Sequence, residues 1–175
     1  NATGLNNGTS WQNAYTNLQD ALNNICADTI KIAEGNYKPA ISNRDSAFYV
    51  RSHKVLFGGY PNTTNPADSQ RNGFLYPTIL DGNIGNPSDS TDNSRNVLHI
   101  LTAERKKVVL NGLKIQNGFH SLPSPDGMLS GGGGIRIIQS IVDVDSCTFF
   151  NNNTEFAGGA LYSRFSQLKL SRSIF

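Results

Sequence analysis

The chain has 175 residues, 37% of them apolar and 16% charged, with 17 glycines and a formal net charge of +2. That length suits one domain with a real core, and so glycine-rich and weakly apolar a composition fits a thin-cored, turn-rich architecture better than a compact α/β enzyme. The basic residues are scattered, the densest run being Arg105-Lys106-Lys107, which argues against a nucleic-acid partner; the absence of any run of 18 apolar residues argues against membrane insertion. The first residues, Asn1 to Trp11, carry no signal-peptide pattern, so the chain reads as a soluble mature protein or an excised piece of one.

In chain order, residues 1–28 read as an N-terminal cap. Thr16 and Gln19 form a capping-box pattern, and Leu18, Ala21, Leu22 and Ile25 keep the i, i+3, i+4, i+7 spacing, which predicts a helix over about 16–25. Thr29 to Ala33 alternates as a strand and ends at Gly35. Further strands are predicted at Phe48 to Val50, Lys54 to Phe57, Thr78 to Leu80 and Asn96 to Leu101. Long polar loops are expected over about 61–74, 84–95 and 119–131, where a regular scaffold usually carries its binding residues.

The last third repeats itself. Val142, Val144, Cys147 and Phe149 lie over Leu168, Leu170, Ser173 and Phe175 at an offset of 26, and Val108, Leu110, Leu113 and Ile115 precede them by 34. The glycine pairs Gly133-Gly134 and Gly158-Gly159 recur at 25, and Asn117 is in register with Asn151. A period in the twenties carrying a strand-length alternation is the mark of a solenoid, whose units stack because none buries its apolar face alone. On that alignment the last unit stops at Phe175 two residues short of the asparagine position, so further coils of the same protein, or another chain, are expected to cover that end. Cys147 falls on an inward position and reads as a buried thiol; Cys26 is distant in sequence, and no zinc-type spacing occurs.

Several stretches together resemble the pectin-lyase-like right-handed parallel β-helix proteins secreted by Bacteroidota: Gly8-Thr9-Ser10-Trp11 with Ala14-Tyr15, Leu18-Gln19-Asp20-Ala21-Leu22, Asp28-Thr29-Ile30-Lys31-Ile32-Ala33, Gly35-Asn36-Tyr37-Lys38-Pro39, Gly58-Gly59-Tyr60, Thr78-Ile79-Leu80-Asp81-Gly82 and the terminal glycine-led repeats. They span nearly the whole chain. The resemblance implies an all-β, right-handed parallel β-helix solenoid over 29–175, of roughly five to seven coils, capped by one N-terminal α-helix. It also implies a secreted or cell-surface bacterial protein, of a kind often exported by the type IX route.

Chemistry is sparse. Asn117 and Asn151 are expected to stack as a structural ladder at a turn. Asp143 shares an outward column with Lys169 and reads first as half of a surface ion pair, second as a catalytic carboxylate or calcium ligand. Asp81 before Gly82 reads as an Asx turn ahead of a catalytic acid, and His53, His99 and His120 as satisfied strand or surface histidines. The glycine run 131–134 lacks the Lys-Ser or Lys-Thr and the following helix of a phosphate loop. Tyr60, Phe74, Tyr76 and Phe119 are candidates to stack on sugar rings, against the commoner role of pinning loops. Asp45-Ser46-Ala47 and Asp28-Thr29-Ile30 look like O-glycosylation sites of secreted proteins of that phylum, and Ser46 is preferred because Thr29 begins a core strand. No cofactor is expected; calcium would need converging oxygens that the sequence does not offer. The favoured function is therefore a non-catalytic adhesion or binding scaffold meeting glycans or surface proteins. The alternatives are a polysaccharide lyase or glycoside hydrolase acting on acidic or plant or algal polysaccharide, and a stalk or fibre component.

Overall fold

The computed structural model describes residues 2–102, 105–121 and 130–175. Its strands are β1 Thr29–Ala33, β2 Gly35–Tyr37, β3 Phe48–Val50, β4 Lys54–Tyr60, β5 Thr78–Asp81, β6 Leu98–Leu101, β7 Lys107–Asn111, β8 Leu113–Gln116, β9 Phe119–His120, β10 Ile135–Ile138, β11 Ile141–Asp145, β12 Thr148–Phe150, β13 Asn153–Thr154, β14 Leu161–Arg164 and β15 Gln167–Ser171. One short helix, α1 Leu18–Asn23, precedes them. The chain is all-β. Every paired strand runs parallel to its neighbour, in sheets ordered β1-β4-β7-β11-β15, β2-β5-β8-β12 and β3-β6-β10-β14, with a small β9-β13 pair beside them. The chain visits the three large sheets in the same cyclic order throughout.

The register follows the apolar alternation. Val108, Val142 and Leu168 form one column across β7, β11 and β15, and Leu110, Val144 and Leu170 the next. A slip by one residue would turn this whole set outward, so burial fixes the pairing. Leu56, Leu80, Ile100, Leu110, Ile115, Ile137 and Val144 are fully buried in one cluster. The glycine alignment differs by one from its sequence reading. Gly134 N–H donates to the Gly159 carbonyl and Ile135 pairs with Leu161, so the offset there is also 26, and Gly132 lies over Gly158, each at positive φ.

The helix is shorter than predicted. Asn17 rather than Thr16 caps it, its side chain accepting from Gln19 N–H, and Ile25 lies beyond its end, 83% exposed. Gln19 serves a different purpose, since its side-chain amide accepts from Tyr49 N–H at 2.8 Å and donates to the Tyr49 carbonyl at 3.1 Å. A side-chain amide thus imitates a neighbouring strand at the free edge of β3, while Leu18, Ala21 and Leu22 cover the core. Lys54, fully buried, donates to the Asn24 carbonyl that ends the helix. The predicted 61–74 loop runs on to β5 and is pinned by Arg71, which donates to the Gly58 and Asn111 carbonyls. The 119–131 segment begins as strand β9, and its residues 122–129 lie outside the described residues.

Candidate functional site

One corner consumes three of the polar side chains that the sequence singles out, Asp81, Asn117 and Asn151. Asp81 ends β5 only 5% exposed and accepts four hydrogen bonds, from Asn36 Nδ2 (2.9 Å), Gln116 Nε2 (3.1 Å), Asn117 Nδ2 (2.8 Å) and Asn83 N–H (3.0 Å). Burial pushes its pKa up, but the donors outweigh burial and hold it below the usual carboxylate value. Asn151 Nδ2 in turn donates to Asn117 Oδ1 at 2.8 Å, so Asp81, Asn117 and Asn151 form one ladder, both asparagines at positive φ. An acid so saturated has no free lone pair aimed at a substrate.

Asp143 stands in register with Lys169 but pairs with Lys107 Nζ at 2.7 Å, two residues away along the neighbouring strand. Both partners are part-exposed, so the pair contributes about 0–1 kcal/mol. Asp145 accepts from Asn111, Ser171 and Arg172. Asp81 and Asp143 belong to different sheets, and among the described residues no three His, Cys, Asp or Glu side chains are placed to hold a metal ion. Cys26 is exposed and Cys147 buried, both as free thiols, with burial pushing the Cys147 thiol up to about 11.

The four aromatic candidates differ in burial and surroundings. Tyr60 is 2% exposed, its ring against Trp11 and its hydroxyl donating to Asp68, so it pins a loop. Phe74 is 92% exposed on the same loop, Tyr76 is half-buried, and Phe119 lies under the Arg44 guanidinium. Ser46 is half-buried, its N–H donating to the Asn43 carbonyl in a turn; Thr29, though it opens a core strand, is itself exposed.

The outer face of the β3-β6-β10-β14 sheet brings together residues that the sequence does not visibly connect. Tyr49, His99, Arg136 and Tyr162 are register partners on four successive strands and form one outward column. At about 4.8 Å per strand the column extends some 14 Å. The Tyr49 ring has the Arg51 guanidinium 4.4 Å from its centroid and the His99 ring at 5.6 Å; Arg136 lies 5.5 Å from the Tyr162 centroid. The four strands carry no Asp or Glu, and no ion pair among the described residues involves Arg51 or Arg136.

His99 is not satisfied as predicted. Its Nε2 is buried without a hydrogen-bond partner, and burial, with the charges of Arg136 and Arg51, pushes its pKa down to about 4. Between its ordinary value of about 6.5 and that folded value, the unfolded chain binds the proton and the folded chain does not. Stability is therefore expected to fall on acidification through that window, by up to about 3 kcal/mol. Urea midpoints measured from pH 7 to pH 4 check this, and the slope should shrink in His99→Gln.

No protein-family model, curated protein or solved structure matches the chain.

Proposed function

We propose that the chain is part of a right-handed parallel β-helix and serves as a non-catalytic binding module of a larger secreted or cell-surface bacterial protein, gripping acidic glycans on the outer face of the β3-β6-β10-β14 sheet. The cyclic visiting of three parallel sheets supports such a solenoid, and crossovers between parallel strands are right-handed almost without exception. The sequence resemblance to pectin-lyase-like proteins supports the same fold and location. The outer edge of β15, with Leu170, Ile174 and Phe175 exposed, is the surface on which a further coil or another chain would stack.

The single observation that carries the binding reading is the Tyr49–His99–Arg136–Tyr162 column. Ring faces offer flat apolar area to sugars, and guanidiniums without carboxylate partners among the described residues are ready to take an anion in paired hydrogen bonds. Hydrolysis needs two carboxylates at a set separation, and Asp81 and Asp143 are each engaged elsewhere. A second reading has one specific support: a lyase needs a cation to neutralise a uronate and a neutral base beside it, and Arg136 and His99 are register neighbours.

A glycan array probed with the chain, followed by calorimetry on the hits, tests the proposal. Arg136→Ala should weaken binding to acidic oligosaccharides about tenfold to a hundredfold and leave the urea midpoint within experimental error. Equal affinity in Arg136→Ala, or hits confined to neutral glycans, overturns it. Release of unsaturated oligosaccharides, lost in His99→Gln, would decide for the lyase.

A further inference from the structure

The opposite edge of the first sheet opens on a cavity of about 1120 Å³, bounded by the N-terminal segment, α1, β1 and β2. β1 is an edge strand with β4 as its one neighbour. Val55 N–H donates to the Asp28 carbonyl at 2.7 Å, which sets the alternation. Ile30 and Ile32 turn their backbone groups to β4, and Thr29 and Lys31 turn theirs away, toward the cavity. Among the described residues, the N-terminal segment does not use them. Its hydrogen bonds close on itself, Gly4 N–H to the Gln12 carbonyl, Gly8 N–H to the Asn13 carbonyl and Thr16 N–H to Asn6 Oδ1. It is tied to the body by the Trp11 ring on Tyr60 and by Asn24 donating to the Tyr15 hydroxyl.

Three of the polar side chains around the cavity are already engaged. The Tyr37 hydroxyl donates to the Ala33 carbonyl, Asn36 donates to Asp81, and Glu34 accepts from Asn62 N–H. The outward backbone groups of β1 offer hydrogen-bonding capacity with the spacing of a strand, and Leu18 and Ala21 line the cavity beside them. We propose that this cavity takes an extended peptide of alternating aliphatic and polar residues, added to β1 as a further parallel strand. Its N–H and C=O groups meet those of Thr29 and Lys31, and its inward aliphatic side chains meet Leu18 and Ala21.

A fluorescein-labelled Thr-Val-Thr-Val-Thr peptide, titrated against the whole chain by fluorescence anisotropy, tests this. Lys31→Pro deletes the outward N–H and leaves the β4 ladder intact, a change edge strands tolerate. Lys31→Ala keeps the N–H and removes the Lys31–Asp68 ion pair. Saturable binding to the wild type and to Lys31→Ala within about twofold, weakened at least about tenfold in Lys31→Pro, is the expected result. Slowed hydrogen exchange at the Thr29 and Lys31 amides on adding peptide to the wild type gives the same answer without relying on the proline variant. No saturable binding, unchanged affinity in Lys31→Pro, or protection of those amides by a second copy or an oligosaccharide instead overturns the proposal.

Discussion

Replacing Asp81 with alanine is expected to lower the stability of the chain by about 3 kcal/mol, because it orphans four donors at a nearly closed corner. Asp81→Asn should cost less, since the amide keeps one accepting oxygen. The same network gives a pH signature. The folded pKa of Asp81 is depressed, so its contribution is fully present above the unfolded value of about 3.9 and is lost as pH falls through the folded value. The loss lies at lower pH than the His99 window and should be absent from Asp81→Asn. Urea denaturation of the three proteins between pH 7 and pH 2 checks both the size and the window.

Gly118→Ala is expected to be at least as damaging, at about 3 kcal/mol or more, and to prevent accumulation of folded protein at 37 °C. A Cβ there would overlap the carbonyl oxygen and carbon of Gly133, both backbone atoms of the next circuit. Neither can yield without opening the contact between successive layers. Gly73→Ala is the control, its nearest neighbour being at 3.4 Å, and should change the melting temperature by a few degrees at most. Thermal melts followed by circular dichroism separate the two.

The strands are legible in the sequence where apolar alternation and burial agree. From Val108 to Val144 they do, and one alignment places four columns correctly. Two of the corners are not legible. Arg105, Gln139 and Phe165 recur at 34 and 26 residues, as do Gly112, Ser146 and Arg172, all at positive φ. Only one of the six is glycine, so stacking between layers, rather than local preference, sets that backbone. The helix reads too long because Ile25 keeps the spacing of a stripe that Asn24 has already ended.

The candidate site escapes the sequence for a different reason. Length and polarity draw attention to the loops, whereas Tyr49, His99, Arg136 and Tyr162 sit on strands far apart in sequence. One signal is present: Arg136 and Tyr162 are separated by the same 26 residues as Val142 and Leu168, so the repeat already places a guanidinium beside a ring. Tyr49 and His99 precede the detectable repeat, and only the strand register joins them to it.

The most direct measurement of the central claim is a backbone and side-chain NMR titration of the chain with an oligogalacturonate as the acidic probe. Saturable shifts confined to Tyr49, Arg51, His99, Arg136 and Tyr162 are expected, with the His99 ring titrating at higher pH once the anion is bound. Shifts that cluster elsewhere, or none at millimolar probe and low salt, would contradict it.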